Sequence, residues 1–292
     1  MFRTSNPALS RMAYNAAPAQ TWDDLERQGR LGGVPAPAAA RGPAANEKVM
    51  TVQGTVNKTF FLLTICVALA LVTWTLATGQ NSRGLGMALT FGGAIVGLIL
   101  SLVAVFKPRT SPVVAPLYAA AEGLFLGGIS AWFAASPAPG AAADVSTSAT
   151  SFNGGLVFNA ILLTFGIAGA LCLAYTARLI RPGPVFRNTV IVGTLGVCLY
   201  GLIAFVASLF GAHSLASVYD PSNGGLISIG FSLLVVVLAS ANLVLDFDFI
   251  ESAAQARAPR YMEWFGAFGL LVTLVWLYIE VLRLLAKLRS SE

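Results

Sequence analysis

Four carboxylates, Glu122, Asp246, Asp248 and Glu280, interrupt runs of residues that are otherwise apolar. An aspartate at the centre of a membrane-spanning helix costs about 2.5 to 3.5 kcal/mol on insertion scales, so acids placed there face a bundle interior or a water-filled cavity. Two that converge in a low dielectric cannot both ionise cheaply, and the pair holds one proton near neutral pH. Such a pair is a proton switch. Deprotonated, it offers hard oxygen ligands suited to Ca²⁺ or to protons in transit. Protonated, it ties two helices together by a hydrogen bond.

Depth and helical phase separate the four. Glu122 stands in "LYAAAEGLFLGG", well inside its apolar run, and Glu280 stands in "LVWLYIEVLRLLAKL", late in the last run. Asp246 and Asp248, in "ANLVLDFDFIESA", sit near the end of the sixth run. They are two apart, about 200° around a helix, so they cannot both line one narrow face. Asp246 is the deeper and is expected to face inward, with Asp248 at the interface. A purely structural role is the competing reading: Arg283 follows Glu280 by three, and Arg257 or Arg260 is within reach of Glu251. Glu251 and Glu263 read as solvated helix ends.

The elements that must position these acids are membrane helices. The 292-residue chain is 56% hydrophobic and 11% charged, with a mean hydropathy of +0.75. Soluble domains carry roughly 25% charged residues. Seven segments reach the length of about 20 apolar residues that a crossing needs: 59–77, 85–106, 113–135, 156–177, 189–210, 226–249 and 264–285. An all-α bundle of seven membrane-spanning helices is expected over residues 57–292, preceded by a flexible cytoplasmic tail over 1–56, in which "TWDDLERQGR" allows one short helix. "GGAIVG", "EGLFLGG" and "GIAGAL" offer small residues for close helix approach.

Basic residues set the orientation. They gather in the tail and in the second, fourth and sixth connections, which places the N-terminus in the cytoplasm. Seven crossings then put the C-terminus outside, although Arg283, Lys287 and Arg289 make that end basic. The net charge of +5 is scattered over termini and connections, which argues against nucleic acid as a partner. Cys66, Cys172 and Cys198 lie in separate apolar runs and carry no redox or zinc pattern. His213 falls in a connection and has no role by sequence. An intramembrane aspartyl protease needs a Gly-x-Gly-Asp turn that Glu280 lacks, and a membrane serine protease needs a histidine within a span, so no enzyme is expected.

Five ordered segments resemble the Bax inhibitor 1 family, also called the transmembrane Bax inhibitor motif family. "VNKTFFLLTICVALAL" is similar to its first helix, "AAAEGLFLGGIS" to its acidic third, "VFNAILLTFGIAGALCLAY" to its fourth, "NLVLDFDFIE" to its sixth and "LYIEVLRLLAKL" to its basic-ended seventh. The resemblance covers about Lys58 to Arg289 and leaves out the Ala/Pro-rich tail, which suggests a bacterial branch and a bacterial plasma membrane. It implies a central seventh helix and a pH-sensitive cation leak, chiefly of Ca²⁺, with an aspartate pair between the sixth and seventh helices. Asp246 is the better match to the first aspartate, with Asp248 the fallback. Aligning "LYIE" with the family's Leu-Tyr-Leu-Asp puts Glu280 in the second place, whereas aligning "VLRLLAK" without a gap puts Thr273 there. These two are seven apart and share a helical face.

The expected function is therefore a calcium or general cation leak channel gated by protonation, with Asp246, Glu280, Asp248 and Glu122 as sensor candidates and Asp246 with Glu280 as a candidate Ca²⁺ site. A regulatory membrane protein without transport and a proton-coupled transporter are the alternatives. The transporter predicts inverted repeats, and none is visible in the sequence. The expected partners are the bilayer, Ca²⁺ and protons, with no cofactor.

Overall fold

The computed structural model describes residues 49–79, 81–135, 154–211 and 216–291. The tail before residue 49, with its expected short helix, the third connection and His213 lie outside the described residues.

Seven helices are long and apolar enough to cross a membrane. They are α1 (Val52–Thr78), α2 (Arg83–Phe106), α3 (Ser111–Ala135), α4 (Gly154–Thr176), α5 (Pro184–Leu209), α6 (Leu226–Gln255) and α7 (Met262–Ser290). Two short 3-10 turns, Pro108–Thr110 and Ala216–Tyr219, precede α3 and α6. No strand occurs among the described residues. Helices dominate because a backbone in hydrocarbon has to satisfy its own polar groups.

Several helices outrun the apolar segments that announce them. α1 begins two turns before Thr59, because the Thr51 hydroxyl accepts a hydrogen bond from the Gly54 amide at 2.9 Å and caps it. α6 runs on past Phe249 to Gln255 and α7 past Leu285 to Ser290. "LDFDF" is therefore followed by nearly two further helical turns, and Asp246 stands well inside α6 rather than at its end.

α7 is the central helix: 61% of its apolar window is buried, against 11% for α5 and 17% for α1 and α2. It packs on α1, α3, α4 and α6. α1, α2 and α3 form a close sheaf whose small residues act at contacts. A Cβ on Gly93 would come within 2.5 Å of the Ala121 carbonyl, and one on Gly123 or Gly127 would overlap the carbonyl of Cys66 or Ala70. "GIAGAL" does not behave this way, because Gly166 and Gly169 face open space on the outer side of α4.

α4 and α6 both end in an arginine held in the left-handed region, Arg178 at φ 58° and Arg257 at φ 53°. At each end the following amide reaches back five residues, Leu179 to Ala174 and Ala258 to Ala253, a closing motif that usually takes glycine. Arginine there is more strained, yet it sets a cation at the negative end of each helix dipole.

Candidate functional site

Asp246 faces α7. It lies three residues after Leu243 and four before Ile250, both buried, and so shares their inward side of α6. Across the seam are Gly269 and Thr273, one turn apart on α7. A Cβ on Gly269 would stand 3.7 Å from Asp246 Oδ1, and the Thr273 hydroxyl is near enough to act on the carboxylate. Asp246 Oδ2 is buried with no hydrogen-bond partner. An apolar cluster of Met50, Leu243, Ile250 and Leu270 flanks the site. Met50 is pinned there by its amide, which donates to the Ala258 carbonyl at 2.8 Å.

Asp248 points elsewhere. With Tyr175, Arg178, Arg181 and Glu251 it lines a cleft of about 340 Å³ between α6 and the connection that follows α4. The Tyr175 hydroxyl donates to Glu251 Oε2 at 2.6 Å, and Gln255 Nε2 donates to Oε1 at 3.1 Å. Glu251 is thus held by a tyrosine and a glutamine rather than by the Arg257 or Arg260 expected from spacing, because the left-handed turn at Arg257 carries the chain away from α6.

Glu280 does not join Asp246. It is buried, 5% exposed, and one oxygen takes a 2.5 Å hydrogen bond from Arg283 Nη1. Its Oε2 and Arg283 Nε are both buried without partners. The Arg283 guanidinium lies 5.2 Å over the ring of Tyr219, in the connection before α6. Burial and the Glu280 carboxylate push the Tyr219 phenol up to about 12, so it stays neutral at physiological pH. Glu280 is seven residues beyond Thr273, about 10 Å along α7. The residue opposite Asp246 is Thr273, and the expected pairing of two acids, with the Ca²⁺ site built on it, is not formed. Among the described residues no group of three or more His, Cys, Asp or Glu side chains gathers to hold a metal ion.

Glu122 occupies a third place. It lies one turn after Tyr118 on α3, and a Cβ on Gly97 of α2 would stand 3.1 Å from its Oε2. Tyr118 packs edge-on against Phe268 of α7, with ring centroids 4.9 Å apart. The four acids are therefore distributed around the bundle, one to each of four surroundings.

Two charged residues gain structural weight that spacing alone does not reveal. Glu263 is 3% exposed rather than solvated. It accepts the Thr51 amide at 3.0 Å and the Thr51 hydroxyl at 2.9 Å, and it forms an ion pair with Lys58. Lys287 is fully buried in the last turn of α7. Both stand at helix termini, where a charge ordinarily meets water. The only signal in the sequence is that Lys287 continues the line of Glu280 and Arg283 along one side of α7.

A family model described as Bax inhibitor 1 like matches residues 6–290. It extends well before Lys58, so the Ala/Pro-rich tail left out of the resemblance lies within the matched range. No curated protein and no solved structure matches the chain. The match spans nearly the whole sequence, and the seven helices with the last at the centre agree with it: the chain belongs to the Bax inhibitor 1 like family of membrane proteins.

Proposed function

We propose that the protein is a pH-sensitive leak pathway for cations, chiefly Ca²⁺, along the seam between α6 and α7, with Asp246 as the protonatable group that opens and closes it. The observation that carries this reading is the carboxylate of Asp246, set against Gly269 of α7 with its Oδ2 buried and unpartnered. A charged Asp246 offers a cation two hard oxygens, to which Thr273 adds a hydroxyl. A protonated Asp246 gains a donor and draws α6 onto α7, with Gly269 leaving the backbone room for that approach. Thr273 in place of a second acid makes this a one-carboxylate switch.

In the same reading the membrane is the bacterial plasma membrane and the N-terminus is cytoplasmic. Met50 and its apolar neighbours then close the cytoplasmic side of the site.

Ca²⁺ flux into liposomes holding the purified protein tests the proposal. The native protein is expected to change flux about tenfold over about pH 5 to 8, a bias of ~1.4 kcal/mol between two states. Asp246→Asn is expected to remove the pH dependence, and Glu280→Gln to keep it. Native flux equal to that of empty liposomes at every pH would sink conduction and favour a regulatory membrane protein.

A further inference from the structure

At the far end of the same seam, Lys287 Nζ donates to the Val218 carbonyl at 2.5 Å, the Ser232 hydroxyl at 2.7 Å and the Ser228 carbonyl at 3.1 Å. An ammonium has three donors, and all three meet neutral oxygens. No carboxylate touches it: Glu280 is bonded to Arg283, and Asp220 accepts the Ser222 amide and hydroxyl at 2.9 and 2.6 Å. A fully buried cation without a contacting counter-ion is a costly placement, and a neutral amide could pin the connection to α7 without it. The cage is itself well built, since the Ser228 hydroxyl also donates to the Val218 carbonyl at 3.1 Å. Two carbonyl oxygens and a hydroxyl converging on one point are the donors with which proteins hold an alkali cation.

The position of the cage matters as much as its chemistry. Ser232 precedes Asp246 by 14 residues on α6, about 21 Å of helix, so the cage and the carboxylate stand at opposite ends of one seam. A permeant cation passing Asp246 would meet the Lys287 charge at the far end, in surroundings where repulsion between like charges is weakly screened.

We propose that the Lys287 ammonium is a tethered cation, filling an oxygen-lined cation site between the first turns of α6 and the last turn of α7 and keeping that end of the seam shut. The blocking half of this statement rests on the conduction reading above; the existence of the cation site does not.

Two measurements on full-length Lys287→Ala separate the halves. Melting in detergent, in KCl against choline chloride, reads the site alone: the variant is expected to gain stability with K⁺ or ethylammonium, as a ligand that binds only the folded form requires, and the native protein to gain none. Ca²⁺ flux in liposomes reads the block. Lys287→Ala is expected to pass about tenfold more than native or above, added ethylammonium to bring the flux back down, and Lys287→Arg to stay near native. Ser232→Ala, which removes one cage oxygen and leaves the lysine in place, is expected to raise flux about two- to tenfold, and it serves if the alanine variant at 287 does not fold. Stability and flux of Lys287→Ala that ignore both K⁺ and ethylammonium would overturn the proposal, as would unchanged flux in Ser232→Ala from a conducting native protein. A K⁺-dependent gain in stability with no flux from any protein would leave the site standing and remove conduction.

Discussion

Glu263 gathers the Thr51 amide, the Thr51 hydroxyl and the Lys58 ammonium at the start of α7, while Lys58 also lies 5.4 Å over the Trp264 ring. One carboxylate thereby ties the cap of α1 to the first turn of α7. Glu263→Gln keeps an oxygen for Thr51 but leaves Lys58 without its counter-ion, and the loss of one partner from a buried pair costs about 3 kcal/mol. The expected outcome is a clearly lower melting temperature in detergent, with Glu263→Asp falling between the two. None of this is legible in "YMEWFG", where an acid beside arginines at a helix start reads as solvated. Asp246 is different. Its inward direction follows from its greater depth once the 200° offset rules out a shared face with Asp248, but the residue opposite it does not, because Thr273 and Glu280 share a face and periodicity alone cannot choose between positions seven residues apart.

At the scale of helices, two kinds of glycine carry opposite expectations. Gly123 and Gly127 of α3 lie against the backbone of α1, and Gly93 of α2 lies against that of α3. Alanine at any of these forces backbones apart and is expected to cost about 1 to 3 kcal/mol. Alanine at Gly166 or Gly169 of α4 meets nothing within 4 Å and is expected to be neutral or to gain up to about 1 kcal/mol of helix propensity. Melting curves of the single variants check the contrast, and an equal loss at Gly123 and Gly166 would contradict it. Hydropathy makes the number and order of the helices plain, since an apolar run of spanning length has few other solutions. Helix ends are harder to read, as in α1, where two polar turns are built on the Thr51 cap. Which small-residue motif meets a neighbour is harder still, because Gly123 and Gly166 look alike until the helices that surround them are placed.

For the molecule as a whole, the charges at the end of α7 bear on orientation. Arg283, Lys287 and Arg289 together argue against an outside C-terminus, yet Arg283 is bonded to Glu280 and Lys287 is caged by oxygens within the protein. Arg289 is left as the residue that can weigh on the cytoplasmic preference, and one arginine is a weak signal against seven crossings. In a protein whose exposed Cys172 and Cys198 are replaced by serine, Ser291→Cys is expected to react with a membrane-impermeant maleimide on intact cells and Arg257→Cys only after lysis. Reaction of both in the same compartment would contradict an odd number of crossings. The burial of α7 has a further consequence, for synthesis. The helix that fills the centre is the last of the seven in chain order, so α1, α3, α4 and α6, on which it packs, reach the bilayer before the surface they will share exists. Arg283 and Lys287 are costly for α7 to carry into lipid unaided, and the first turns of α6 and the connection before it supply the oxygens that meet Lys287 and the Tyr219 ring that meets Arg283. Assembly of this protein thus closes inward, around its latest-made spanning segment.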